Sequence, residues 1–254
     1  NFSKMFKGAK ITSLNLSNWN VGKANSFSEM FMNCTSLTSL DLSSWNTSNV
    51  TDMNNMFFNC TSLQTIIGLE NWNTSKLWSM FSIFENCTSL SSFPAIENWD
   101  LSNCAQFDAL FRNVGCTGTF RPNWNLANVG NGGTRGMFHM FGYLNGSGDV
   151  IIDLSNCIVP KNHPAEEHTG YMFGYSKSLT QVILPNNLKV KFISGWFINC
   201  NNLTTLDISG MDLSECVEAN NTFATTSLTN LSCNEAAKDI KISIDLGWST
   251  KLTV

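Results

Sequence analysis

The chain has 254 residues, of which 43% are hydrophobic and only 13% are charged, and its net charge is −4. Asn, Ser and Thr make up roughly a third of the residues, so the surface is polar but largely uncharged. This balance argues against electrostatic binding to nucleic acid or to an anionic membrane. No apolar run approaches the ~18 residues that span a bilayer. With three histidines in the chain, an enzyme is the less favoured class.

Three series of residues recur along the chain in a common register. An Asn-Cys-Thr-Ser-Leu motif begins at Asn33, Asn59 and Asn86, and a looser copy begins at Asn199. A second series consists of tryptophans: Trp19, Trp45, Trp72, Trp99 and Trp124. A third consists of Met-Phe or related pairs that end at Phe6, Phe31, Phe57, Phe111, Phe141, Phe173, Phe197 and Phe223. Self-similarity at a fixed period indicates a repeat protein.

Each repeat predicts the same order of elements. A short strand comes first, because apolar and polar residues alternate over Leu37–Ser43. Asn46–Asn49 has the side chains typical of a turn. An amphipathic helical turn follows, with an apolar face made by Val50, Met53, Met56 and Phe57. Because one unit buries only one side, the units must stack, which predicts a solenoid with a parallel sheet.

We predict a single solenoid over residues 1–254. It has regular repeats at 1–111, irregular repeats with insertions at 112–175, and degenerate repeats with a final strand at 176–254. The insertions are expected at Gly130–Gly133 and Lys161–Pro164, and the alternating segment Ile240–Leu246 is the predicted final strand. Because Ser3–Phe6 matches part of a later unit, the sequence is interpreted as an excerpt of a longer chain.

The repeat resembles the BspA-type leucine-rich repeat. The resemblance rests on Leu40-Asp41-Leu42-Ser43-Ser44-Trp45-Asn46, on Asn55-Met56-Phe57 and on Cys60-Thr61-Ser62-Leu63. It is closest over residues 11–111 and weaker to residue 232. That family occurs in surface proteins of Bacteroides, other gut and oral bacteria, mycoplasmas and some parasitic protists.

The resemblance implies a right-handed leucine-rich-repeat coil, with a parallel sheet on one face and short helices or loops on the other. It also implies a location on a cell surface or outside the cell, with signal and anchor regions outside this chain. Family members are associated with adhesion, so the implied partner is a host or bacterial surface protein or glycan. Neither nucleic acid nor direct membrane insertion is expected. The family supplies no catalytic residues and implies no cofactor.

The nine cysteines are predicted to be buried and reduced. Their spacing contains no close pair of the zinc-site type. All but Cys116 fall in apolar positions of the repeat, where a free cysteine packs as a small hydrophobe. Stacked corner cysteines could reach disulfide distance, so structural disulfides remain the alternative. The tryptophans are likewise predicted to form a buried ladder, with a sugar-stacking platform as the alternative.

Three further patterns favour ordinary surface structure. His163 and His168 flank two glutamates and could bind a metal, but no third fixed ligand is evident, so a solvated loop is favoured. Gly130–Gly136 lacks the ending of a phosphate-binding loop and is interpreted as a flexible insertion. His139 is predicted to be a partly exposed helix residue. The aspartates that align on the strands are predicted to be solvated: Asp41, Asp153, Asp207 and Asp245.

The outward face of the strands is the predicted binding surface, because extended solenoid surfaces commonly bind partners. Its small hydroxyl and amide side chains suit a protein or glycan partner. The predicted face consists of Ser13, Asn15, Ser39, Asp41, Thr65, Ile67, Gln181, Ile183, Thr205, Asp207 and Asn230. We predict a non-enzymatic adhesion module with no catalytic and no metal-binding residues. A structural spacer or the receptor-binding part of a surface or phage fibre is the alternative.

Overall fold

The computed structural model describes residues 1–130, 136–159 and 169–234, together with the backbone of residues 251–253. Part of the predicted Gly130–Gly136 insertion therefore lies outside the described residues. The same holds for the loop with His163 and His168 and for the predicted final strand Ile240–Leu246, which includes Asp245.

The described residues form a parallel β-solenoid with short strands, which confirms the predicted leucine-rich-repeat-like coil. The strands are β1 (Ser39–Asp41), β2 (Thr65–Ile67), β3 (Gly118–Phe120), β4 (Val150–Asp153), β5 (Leu179–Ile183), β6 (Thr205–Asp207), β7 (Asn230–Ser232) and β8 (Lys251–Thr253). They pair in parallel as β1-β2, β3-β4-β5 and β6-β7-β8. In the first pair Leu40 lies beside Ile66, so each coil repeats the position of the one before.

The predicted helical turns are wrong. Within the described residues the single helical element is a 3-10 turn at Leu69–Asn71. Residues 53–60 and their equivalents in other coils instead form overlapping turns, called here the turn segments. The N–H groups of Met56, Phe58 and Cys60 each donate to the carbonyl three residues back, at 3.1 Å. Asn54 N–H donates to Asp52 Oδ1, and the other four N–H groups in this run donate to the next coil: Met53, Asn55, Phe57 and Asn59.

Asparagine recurs in the turn segments because the backbone there needs positive φ. Asn55 and Asn59 have φ of 55° and 58°, in the left-handed region that asparagine tolerates better than most residues. The same conformation occurs in other coils at Asn33, Asn86, Asn113, Asn199 and Asn221. Two left-handed residues four positions apart interrupt an α-helix, so the apolar spacing of this segment fits turns instead.

Side-chain hydrogen bonds at the corners explain the uncharged polar composition. Asp41 Oδ1 accepts hydrogen bonds from the N–H and hydroxyl of Ser43 at 3.0 and 2.6 Å. Asn73 binds Ser75 in the same way at 3.1 and 2.8 Å. Such side-chain turns fix each change of direction, so the Asn, Asp and Ser residues of the repeat build its corners.

The core consists of aromatic stacks that run along the solenoid. Nine phenylalanine rings stack in sequence at centroid distances of 5.3–5.8 Å: Phe6, Phe31, Phe57, Phe84, Phe111, Phe141, Phe173, Phe197 and Phe223. The stack crosses the irregular central repeats without a break. Trp45, Trp72 and Trp99 form a second, shorter stack, with centroids 6.2 and 5.9 Å apart. These three tryptophans and Trp124 are buried, as predicted, whereas Trp19 is half-buried.

Candidate functional site

The strand face presents most of the predicted binding residues to solvent. Ten of the eleven are exposed, and Ile183 is half-buried. Ile67 is the more exposed of the two isoleucines on the face, with 54% of its surface exposed. The alternating pattern of the strands produces this placement, because Leu40 and Leu206 point into the core while the residues beside them point outward.

Asp153 departs from the prediction of a solvated carboxylate. The residue is buried, and its Oδ2 lies 2.6 Å from Arg121 Nε. Burial raises the pKa of this carboxyl, but hydrogen bonds from Ser155 and Arg121 outweigh it, so the pKa is lowered. Asp153 is thus a buried carboxylate that pairs with an exposed arginine.

The strand face is interrupted between β2 and β3 and again between β5 and β6, because the strands on either side belong to different sheets. After β1, β4 and β6 the next residue donates its N–H to the last residue of the following strand: Leu42 to Ile67, Leu154 to Ile183 and Ile208 to Ser232. The equivalent bond from Leu184 to Asp207 is missing within the described part of the chain. Pairing resumes beyond the gap, where Asn187 N–H donates to the Gly210 carbonyl.

Pro185 offers a physical reason for the gap. A proline restricts the residue before it to a subset of extended conformations, and Leu184 is that residue. Pro185 occupies the place that Ser43 has after β1, where a serine N–H closes the corner by donating to Asp41. Proline has no N–H to donate, so the regular corner cannot form after β5.

A groove of about 650 Å³ lies at this interruption. Four of the predicted face residues line it: Gln181, Ile183, Thr205 and Asp207. Asp207 is its single charged residue, and its lining contains no aromatic ring. A smaller depression of about 330 Å³ lies at the other end of the described face, where Ser13, Asn15, Ser39 and Asp41 contribute. The structure thus gathers eight of the eleven predicted residues into two depressions.

A cluster of aromatic side chains on the turn segments was not predicted. All three tyrosines of the chain are in it, and each follows a glycine directly in sequence. The Tyr143 and Tyr175 rings stack at 4.8 Å, and His139 stacks on Tyr171 at 5.3 Å. These four residues are half-buried and all have positive φ. His139 is therefore a turn residue, which corrects the prediction that it lies on a helix.

Neighbouring groups hold the tyrosine cluster in place. The Arg112 guanidinium lies 5.0 Å from the Tyr143 centroid and pairs with Glu85 at 2.6 Å. A Cβ at Gly195 would lie 2.4 Å from the Tyr171 ring, so that ring rests on the glycine. The stacked rings thus have much of their faces covered. The repeated Gly-Tyr pair was the sequence signal for this cluster.

The cysteines are free thiols, and all except the half-buried Cys216 are buried. Thiols at the coil corners donate to carbonyl groups of the preceding coil, as Cys60 does to Phe31 at 3.0 Å and Cys87 to Phe57 at 3.1 Å. Burial raises the pKa of the Cys60 and Cys200 thiols to about 12. They are packing groups that resist ionisation.

Raising the pH from 8 to 10 is expected to destabilise the fold. Thiols of the unfolded chain ionise near pH 9, whereas the pKa of folded Cys60, Cys104, Cys116 and Cys200 is about 12. A raised folded pKa gives stability that is complete below the unfolded pKa and declines as the pH rises towards the folded one. The free energy of unfolding should fall by about 1 kcal/mol per buried thiol, as measured by denaturant titration.

The Cys60→Ala variant provides the control for this prediction, since it should reduce the pH-dependent loss by about 1 kcal/mol. An unchanged pH dependence in that variant would show that other groups cause the loss.

Two possible features are missing from the described part of the chain. In residues 1–130, 136–159 and 169–234, no three His, Cys, Asp or Glu side chains come together in a metal-binding arrangement. No helix of these residues is long and apolar enough to cross a membrane.

The stacked parallel coils and the repeated apolar core define a leucine-rich-repeat solenoid. Residues 1–92 and 38–148 match the family described as Mycoplasma protein of unknown function, DUF285. Residues 153–244 match the family described as BspA type Leucine rich repeat region (6 copies). The chain belongs to the BspA-like leucine-rich-repeat family, with its first 148 residues of the DUF285 type. No match was found among curated proteins or solved structures.

Proposed function

We propose that this chain is a non-enzymatic adhesion module that binds a protein or glycan outside the cell through its strand face. The observation that carries the proposal is the groove of about 650 Å³ at the β5–β6 interruption. Leucine-rich-repeat families are typical of surface and protein-interaction modules, and a solenoid offers an extended surface for such contacts.

The chemistry of the face supports recognition of an uncharged or weakly basic partner. Gln181 and Thr205 can each donate and accept hydrogen bonds, and both are exposed beside the groove. Ile183 adds an apolar contact. The groove lining contains no lysine, arginine or histidine, which disfavours phosphate or sulfate groups as the recognised feature.

The proposal is tested with an array of glycans and extracellular-matrix proteins. The purified chain is compared with Thr205→Arg, which places a bulky side chain in the groove, and with Thr35→Arg, at an exposed position outside the groove lining. The Thr205 variant should bind the positive spots about tenfold more weakly, while the Thr35 variant should match the parent chain. Equal binding by the parent chain and both variants would place the binding site outside the groove. If the parent chain binds nothing on the array, the alternative function as a structural spacer is favoured instead.

A further inference from the structure

A second exposed face follows the tryptophan corners, and it carries Trp78. Isolated parallel bridges join Asp52 to Ser79 and Ser79 to Gln106 in successive coils, so residues at equal distances before the bridges stand side by side along the solenoid. They form two rows that are at most about 7 Å apart along the chain, while neighbouring coils are about 4.8 Å apart. These rows, called here the lateral face, are Asn49, Lys76 and Asn103 in the first and Thr51, Trp78 and Ala105 in the second.

Trp78 offers an open aromatic surface. Half of its surface is exposed, although tryptophan is highly buried on average. In the part of the chain that the structure describes, it is the one tryptophan without a ring contact. Thr51 and Ala105, its neighbours in the row, are too small to cover an indole, and no described residue accepts a hydrogen bond from the indole N–H. A ligand can therefore reach both the ring and its donor.

Two polar side chains beside the indole are already ordered. Lys76 Nζ donates to Asn49 Oδ1 at 2.8 Å, and Asn103 Nδ2 donates to the Ser75 carbonyl at 2.8 Å. The Lys76 ammonium keeps two further protons, and Asn103 Oδ1 accepts no hydrogen bond from the described residues. A donor and an acceptor thus stand beside the ring, one in the same coil and one in the next. Because bonds to adjacent coils fix both side chains, little affinity is lost to their ordering when a ligand binds.

This combination matches a sugar residue better than a protein side chain. A pyranose ring has an apolar face of C–H groups that is similar in size to an aromatic ring, and its hydroxyls both donate and accept hydrogen bonds. Aromatic hot spots of protein interfaces lie in well-packed pockets. The lateral face around Trp78 instead presents hydroxyl, amide and ammonium groups and a single alanine. Its apolar area is therefore confined to the indole, as a sugar requires.

We propose that Trp78 is the stacking platform of a glycan-binding site on the lateral face. A pyranose lies with its C–H face on the indole, one of its hydroxyls accepts a hydrogen bond from Lys76 Nζ, and a neighbouring hydroxyl donates to Asn103 Oδ1. The site is separate from the strand face and its groove. It therefore goes beyond the proposed function and does not depend on it.

The test uses protein labelled with 5-fluorotryptophan and observed by fluorine NMR. The eight tryptophans give eight signals, and the Trp78 signal is identified by its loss in Trp78→Phe. The probes are the methyl β-glycosides of glucose, galactose and N-acetylglucosamine and methyl α-mannoside, titrated through the millimolar range. At least one glycoside should shift the Trp78 signal to saturation, while the signals of the buried tryptophans stay fixed.

Val217→Ala is the matched control. Val217 has the same position in another coil, because its N–H donates to the Lys191 carbonyl as that of Trp78 donates to Thr51, and 72% of its surface is exposed. Saturation-transfer NMR of the glycoside should show binding at least about tenfold weaker in Trp78→Ala and about threefold weaker in Asn103→Ala. Val217→Ala should match the parent chain. Unfolding midpoints verify that all three variants are folded.

The outcomes separate this site from the groove. The assignment is overturned if no glycoside shifts the Trp78 signal, if Trp78→Ala binds as tightly as the parent chain, or if Val217→Ala loses as much affinity. Sugar binding that survives Trp78→Ala but is lost in Thr205→Arg would overturn this inference and support the proposed function. Binding lost in Trp78→Ala and unchanged in Thr205→Arg supports the lateral-face site.

Discussion

Replacing Phe111 with alanine is expected to lower the free energy of unfolding by about 3–5 kcal/mol. The side chain is fully buried and lies in the middle of the phenylalanine stack, 5.5 Å from Phe84 and 5.8 Å from Phe141. It also meets Phe93 and Phe120 edge to face. The loss therefore combines a large cavity with the removal of contacts to four rings. Denaturant titration followed by tryptophan fluorescence measures it.

Trp78→Ala is the control for Phe111→Ala. The tryptophan is the larger side chain, but half of its surface is exposed, so its removal leaves no closed cavity. We expect a loss of no more than about 1 kcal/mol. Similar losses in the two variants would show that the aromatic stack is not the main source of stability.

The Phe111 variant also tests how the coils cooperate. In a solenoid each repeat contacts only its neighbours, so stability is close to a sum of local terms. A weakened centre should allow the two ends to unfold separately, which would lower the denaturant dependence of the transition as well as its midpoint. Hydrogen exchange should then show the greatest loss of protection in the coils around Phe111.

The parts of the fold that the sequence predicted are those that depend on the repeat itself. The Phe57, Trp72 and Cys60 series each recur at one position per coil, and identical positions must stack when coils are superposed. The exposed face followed from the alternation around Leu40, since strand side chains change sides at every residue. These features need no knowledge of contacts between distant segments.

The turn segments were mistaken for helices because the apolar spacing alone does not distinguish the two. Met53, Met56 and Phe57 face the core in either conformation. The distinguishing residues are Asn55 and Asn59, which are four positions apart and favour positive φ. In this coil asparagine at both positions was a sign that the chain turns, whereas Glu29, Ser82 and Ala109 adopt the same positive φ at the first position of neighbouring coils without such a sign.

The groove could not be predicted because it depends on how β5 and β6 fail to pair. Gln181 and Asp207 were chosen from alternation, which fixes their side of the sheet but not the gap between their strands. Pro185 marked the place in the sequence, although its consequence appears only when the neighbouring coil is present. The position of the candidate site thus depends on a departure from the repeat, which the repeat pattern alone does not predict.

The glycines at positive φ provide a second stability test, in which Gly68→Ala should cost far more than Gly118→Ala. Both glycines are left-handed, with φ of 95° and 89°, so an added Cβ strains either backbone by about 1–2 kcal/mol. At Gly118 it would have no neighbour within 4 Å, whereas at Gly68 it would lie 2.3 Å from Ser43 Cα. Backbone atoms cannot move aside as a flexible side chain can.

The Gly68 variant should therefore lose at least about 2 kcal/mol more than the Gly118 variant, a typical cost of overpacking. Thermal and denaturant unfolding of both variants measures the difference. The close approach at Gly68 coincides with a change in the length of the repeat. The corner cysteines are separated by 26 residues from Cys34 to Cys60 and by 27 from Cys60 to Cys87. Gly68 lies at the start of the 3-10 turn Leu69–Asn71, within the longer interval. Equal losses of stability in the Gly68 and Gly118 variants would show that the close contact between residue 68 and Ser43 is not needed.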